Sequence, residues 1–266
     1  MKPLPTSDDD VPLVSLSQSR TSWEDLVFSS ETQRVLVDLV AENLNADLLA
    51  SHGLQPRRRL LLAGPSGTGK TRAAEAIAHG LGVPIVKVRL ASLVSSYLGQ
   101  TAKHIQRILD FAAQGSWVLS FDEIDIVASE RESADHGEMR RVVAVLLQEL
   151  EEYQGSNIIV ATTNHAAMLD SAVWRRFDEI AVFKNPNQSQ IEALLSIKLR
   201  RMQVKINRTN VARSLSGMSH AQIEMVCQDA MRKVVLEGRT FVATDDILSS
   251  AHSRRRRLRD AGEQEN

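Results

Sequence analysis

A chain of 266 residues, 43% hydrophobic and 24% charged, is long enough for one large core and a smaller satellite domain. Its net charge of −1 excludes a general attraction to nucleic acid or anionic lipid, and its single cysteine excludes an intrachain disulfide. No apolar run approaches a membrane span, and the opening MKPLPTSDDD lacks the apolar stretch of a signal peptide, so a soluble cytoplasmic protein is expected.

Residues 1–22, rich in Pro, Ser and Asp, are expected to be disordered. From Glu31 to Ser51, Val35, Leu36, Leu39, Val40, Leu44 and Leu48 recur at helical spacing, with Gly53 as a C-terminal cap. RLLLAG (59–64) reads as a buried strand, followed by a helix to Ala78 closed by Gly80. PIVKVRL (84–90), WVLSF (117–121), NIIVATTN (157–164) and EIAVF (179–183) read as further strands. TAKHIQRILDFAA (101–113) and EMRRVVAVLLQELEEY (138–153) read as helices. Short apolar runs alternating with amphipathic helices predict an α/β fold, a parallel sheet covered on both faces. After Pro186 the strand signal stops. Helical patterns over 189–203, 219–237 and from the N-cap Thr244 onward predict an all-helical second domain. The expected domains are therefore 23–186 and 187–266. Cys227 falls on the apolar face of the second of these helices, with Ile223, Val226 and Ala230, as a small buried hydrophobe and not a nucleophile.

Chemistry concentrates in four places. Gly64-Pro65-Ser66-Gly67-Thr68-Gly69-Lys70-Thr71 matches the phosphate-loop pattern G-x-x-x-x-G-K-[ST]. Its glycines let successive N–H groups turn toward phosphate oxygens, and the following helix adds its positive dipole end. Lys70 reaches the outer phosphates, and Thr71 offers a hydroxyl to Mg²⁺. VLSFDEID ends a strand in Asp122, facing that Mg²⁺, and Glu123, a base for the attacking water. Asn164 ends another strand, where an amide can hold the same water; the plain alternative is a turn asparagine. Arg175 and Arg176 are either a solvated surface pair or arginine fingers supplied to a neighbouring subunit.

In this order the motifs GPSGTGKT, FDEID, ATTN, LDSAVWRRFD and GMSHAQIEMVCQDAMR resemble the AAA+ ATPases, within them the classical AAA clade of katanin, spastin and the FtsH-type proteases. The resemblance runs from about Trp23 to the C-terminus. It implies a P-loop NTPase α/β domain with a small helical lid, and ATP with Mg²⁺ held at subunit interfaces of a homo-oligomeric ring, usually a hexamer. It places Asn164 at the first sensor and Arg175 and Arg176 at the finger positions. It also reads Tyr97, Leu98 and Gly99 as a pore loop that grips a polypeptide, the alternative being a tyrosine packed on the following helix. SERESADHGEMRR (129–141) would be a second pore-facing loop.

The sequence departs from the family in the lid, where Ser219-His220-Ala221 replaces Ser-Gly-Ala and brings an imidazole beside the nucleotide, and in DLVF (25–28), which replaces a glycine-containing linker. No H-E-x-x-H motif is present, so proteolysis would need a separate effector such as a protease. The Arg254–Arg257 run reads as the solvated end of the last helix, with nucleic-acid contact as the alternative. The function expected is a ring-forming ATPase that remodels or threads protein substrates. Its rivals are a nucleic-acid-linked loader or transposition helper, against which near-neutral charge and the aromatic loop both argue, and a nucleotide-gated regulatory scaffold.

Overall fold

The computed structural model describes residues 3–93, 98–124, 136–165 and 174–262. The chain forms two compact units. The first comprises the chain up to Trp23 together with Ser30–Pro65 and Lys70–Phe183; the second comprises Glu24–Ser29, Ser66–Gly69 and the chain from Lys184 onward.

The first unit is built on a six-stranded sheet. Its strands are β1 (Val14–Ser17), β2 (Arg59–Ala63), β3 (Ile85–Val88), β4 (Val118–Phe121), β5 (Ile158–Thr163) and β6 (Glu179–Val182), in the order β1-β3-β4-β5-β2-β6. All pairings are parallel except β1 with β3. The central strands are buried along both faces, which is why they read as unbroken apolar runs. Helices α1 (Ser30–Leu44) and α3 (Lys70–Leu81) pack together, with α3 also against β3, β4 and β5. Helices α4 (Leu98–Ala112) and α5 (His136–Glu152) pack as a pair, and Ile105, Ile108, Leu146 and Leu150 share one core with Leu61 and Ile159.

Three local readings change. The N-terminal residues expected to be disordered supply β1, registered Val14↔Val88 to Ser17↔Ile85, with Leu13 and Val14 fully buried. Arg107 on α4 also pairs with Asp8 at 2.8 Å, which holds the Asp8 carboxyl below its ordinary pKa. A Pro- and Asp-rich composition hid a short alternation, VPLVSLS, that the sheet edge can use. The helix expected over 31–51 breaks at Asn45 into α1 and α2 (Ala46–Ser51), leaving Leu44 and Leu48 exposed. Helix α3 runs through Gly80, where an added Cβ would stand 3.1 Å from the Trp23 indole nitrogen; the chain turns at Gly82, φ +70°.

The second unit holds α6 (Gln188–Lys198), α7 (Arg208–Ser214), α8 (His220–Leu236) and α9 (Thr244–Gly262). Asn187 and Ser219 cap α6 and α8 through reciprocal capping boxes with Gln190 and Gln222. The region expected to be helical throughout also carries a parallel pair, β7 (Gln203–Lys205) and β8 (Phe241–Ala243), too short to be seen as periodicity. Cys227 lies in the core with Ile223, Val226 and Ala230, and burial pushes its thiol up to about 12. The arginine run is partly structural. Arg254 pairs with Asp229 at 2.9 Å, and Arg255 donates to the Ser214 and Ser216 carbonyls at the end of α7, at 2.7 and 3.2 Å.

Candidate active site

Parallel register brings three motif-bearing strand ends together. Ala63 lies beside Thr163 and Phe121 beside Ala161, so Gly64, Asp122 and Asn164 leave the same end of the sheet. Gly64 has φ +148°, its N–H bonds to the Thr163 carbonyl at 3.1 Å, and an added Cβ would lie 2.1 Å from the Phe183 carbonyl oxygen. Only glycine fits this close backbone approach.

Lys70 opens α3 and is 6% exposed. Its ammonium donates to the Gly64 carbonyl at 2.6 Å, the Pro65 carbonyl at 2.9 Å and Asn164 Oδ1 at 2.8 Å. Asn164 Nδ2 in turn donates to Glu123 Oε1 at 3.1 Å. The Asn164 amide thus links cation and carboxylate, and only this orientation satisfies both neighbours. Glu123 itself sits in the left-handed region, φ +56°, held by its N–H to Thr162 Oγ1 at 2.8 Å and by the Ile124 N–H to the Thr162 carbonyl at 2.9 Å. A non-glycine residue in that conformation costs on the order of 1 kcal/mol or more, and such strain concentrates at functional positions.

Asp122 Oδ1 accepts from the hydroxyls of Thr71, Ser120 and Thr162, each at a long 3.4 Å. Burial raises the Asp122 pKa, opposed first by the Lys87 ammonium and then by these hydroxyls. A carboxylate desolvated beside a threonine hydroxyl, with only long neutral bonds, fits the hard oxygen ligation of Mg²⁺. Thr162 and Ser120 escaped the sequence reading. Their signal was a hydroxyl in a strand otherwise apolar, and both are buried.

In the second unit, Gly67 and Gly69 have φ +74° and +101°. A Cβ on Gly67 would stand 2.6 Å from Ser219 Oγ, and the Ala221 N–H donates to the Gly67 carbonyl at 3.0 Å. Pro65 and Ser66 are exposed and Thr68 is buried. His220, one residue before Ala221, bonds through Nε2 to the Val27 carbonyl at 3.0 Å, within the DLVF segment, and burial lowers its pKa.

Arg175 is exposed, while Arg176 Nε lies 3.2 Å from Glu151 Oε2 of α5. Tyr97 lies outside the described residues, as do residues 129–135 of the second expected loop. Leu98 and Gly99 form the first turn of α4, so the helix begins three residues before the expected start at Thr101 and takes up part of the expected loop.

A strand, a glycine loop and a helix carrying Lys70, beside a strand ending in adjacent carboxylates, define a P-loop nucleotide hydrolase. Residues 60–185 match the family model described as the ATPase family associated with various cellular activities. The AAA family ATPase y4kL of Sinorhizobium fredii is 39% identical over 88% of this chain and 71% of its own length. A proteasome-activating nucleotidase of Methanococcus maripaludis is 33% identical over 85% of this chain, and a 26S proteasome regulatory subunit 8 homolog of Arabidopsis thaliana is 31% identical over 76%. The chain belongs to the AAA family of ATPases. It spans 58% and 51% of the last two relatives. Among the described residues no helix is long and apolar enough to cross a membrane.

Proposed function

We propose that this chain is the motor module of a homo-oligomeric ring, a hexamer, that uses ATP hydrolysis to unfold or thread protein substrates in the cytoplasm, working with a partner such as a protease. The observation that carries the reading is the Lys70–Asn164–Glu123 chain at the ends of β2, β4 and β5. It supports hydrolysis because it joins a phosphate-binding cation to a base through one side chain.

In this reading Lys70 exchanges its Gly64 and Pro65 carbonyls for β- and γ-phosphate oxygens of ATP. Backbone N–H groups of Ser66, Gly67, Thr68 and Gly69 line the phosphates, and Pro65, which has no N–H, shapes the entry to the loop. Thr71 and Asp122 hold Mg²⁺, which supplies positive charge to the phosphates. Glu123 takes a proton from water as the water oxygen bonds to the γ-phosphorus, and the bond to the ADP oxygen breaks. Asn164 holds the Glu123 carboxylate and the water in line. Arg175 and Arg176 act on the neighbouring subunit's γ-phosphate; the exposure of Arg175 supports supply in trans. Ala221 and His220 border the nucleotide from the lid, and Tyr97, Leu98 and Gly99 grip the polypeptide. The relatives named as proteasome-activating nucleotidases support a protein substrate.

The test has two arms. ATPase activity per subunit should rise steeply with protein concentration, and Arg175→Ala subunits mixed with Lys70→Ala subunits should recover part of it. Full activity from a proven monomer would contradict the shared site. A Glu123→Gln variant used as bait with ATP should retain polypeptide substrates; retention of nucleic acid alone would favour the loader reading.

A further inference from the structure

We propose that a cavity at the other end of the first unit's sheet, where β2 and β5 begin, is an oxyanion site built around Arg58 and Tyr153 that takes a carboxylate. The cavity is roughly 700 Å³, within the range of ligand sites. Three consecutive arginines, Arg57, Arg58 and Arg59, form part of its wall, and two of them are already matched. Arg57 is tied to Glu42, with Nε to Oε1 at 2.9 Å, and to Glu179. Arg59 faces Asp178 at 3.9 Å. The other Asp178 oxygen accepts the backbone N–H groups of Arg58 and Arg59 at 2.8 and 2.9 Å. Among the described residues the Arg58 guanidinium has no acceptor, and its Nε is enclosed. The guanidinium is half-buried, and a planar carboxylate in the cavity matches the geometry of its outer N–H groups.

A second donor lines the same cavity. Both Asn157 amide donors are used: Oδ1 accepts from the Trp117 N–H at 2.7 Å, and Nδ2 donates to the Ala112 carbonyl at 2.7 Å and to Tyr153 Oη at 3.0 Å. Tyr153 Oη therefore acts as acceptor toward Asn157, and its own proton has no acceptor among the described residues. Gly155 makes this placement possible, since an added Cβ would lie 2.0 Å from Tyr153 Oη. One unmatched cation balances one negative charge. A carboxylate fits that better than a phosphate dianion, which would also face Asp178 and the exposed Asp47 on the wall. The exposed Leu54 on the same wall gives an apolar surface for the carbon chain behind the carboxylate.

The carboxylate has two possible sources, a small free acid or an acidic side chain of a second copy, and the experiment separates them. The full chain is titrated with butyrate and, at constant ionic strength, with butyramide, following the Gly155 amide resonance. Butyrate should give a saturable shift and butyramide none. Arg58→Gln should abolish the response, Tyr153→Phe should weaken it at least about threefold through loss of one hydrogen bond, and Lys70→Ala should leave it intact, since Lys70 and its partners Gly64, Pro65 and Asn164 lie at the opposite end of the sheet. Sedimentation velocity over rising concentration forms the second arm. If a second copy supplies the carboxylate, the wild type associates, butyrate dissociates it, and Arg58→Gln and Tyr153→Phe associate less. Melting curves establish that each variant is folded, and Tyr153→Phe carries the test if Arg58→Gln is not. Equal responses to butyrate and butyramide, together with unchanged sedimentation of the variants, would overturn the proposal.

Discussion

Asn164 Nδ2 donates to Glu123 Oε1 at 3.1 Å while Asn164 Oδ1 accepts from Lys70 Nζ at 2.8 Å, so one amide links the Glu123 carboxyl to the Lys70 ammonium. Asn164→Ala removes both bonds at once, and Asn164→Asp replaces the donor toward Glu123 with a second carboxylate. The alanine variant should lose about tenfold or more in kcat with a smaller change in KM, on the scale of a positioning group in acid–base catalysis. The aspartate variant should be at least as poor. Steady-state kinetics check this, and equal kcat for Asn164→Ala and wild type would remove Asn164 from the site.

Thr162 holds the left-handed Glu123 through its hydroxyl at 2.8 Å, and also reaches Asp122. Thr162→Val keeps the shape and leaves the Glu123 N–H without its acceptor, at a cost of roughly 1–3 kcal/mol. Denaturant unfolding should show that loss, and ATPase activity should fall with it. A variant as stable as wild type would mean that other contacts hold the Glu123 backbone.

The N-terminal strand gives a direct test of the sheet edge. Leu13 is fully buried beside β3, so Leu13→Ala should cost roughly 2–5 kcal/mol, as for other leucine truncations in cores. A disordered tail would show no change in the melting curve.

Much of the candidate site's geometry was legible because a loop that needs positive φ at Gly64, Gly67 and Gly69 and an ammonium at Lys70 leaves few spellings. Asp122 and Glu123 were legible from their place at a strand end. The hydroxyls of Thr162 and Ser120 were not, because a hydroxyl in an apolar strand acquires meaning only when register brings it to Asp122. The same holds for β1, β7 and β8, whose three or four residues are too few to show a period. Gly80 misled for a different reason. It reads as a helix stop, but it is there to admit the Trp23 indole.

His220 gives a pH dependence whose sign follows from its burial. Desolvation holds its folded pKa below the unfolded value of about 6.5, opposed by the bond to the Val27 carbonyl, while the Lys198 ammonium lowers it further. The second unit therefore holds a neutral imidazole. Its contribution is present above about pH 6.5 and is lost as pH falls through the folded pKa. Relative to His220→Gln, the wild type should lose stability on that descent; parallel curves for the two proteins would place the ring in solvent.

Hydrolysis at the end of β4 is tested most directly by one pair of assays on Glu123→Gln: ATP binding by a fluorescent analogue, and phosphate release under saturating ATP and Mg²⁺. The site described above predicts affinity within a few-fold of wild type and turnover at least about a hundredfold slower, the scale of removing a general base. Near-normal phosphate release from this variant would contradict the assignment of Glu123, and with it the Lys70–Asn164–Glu123 chain as the centre of the reaction.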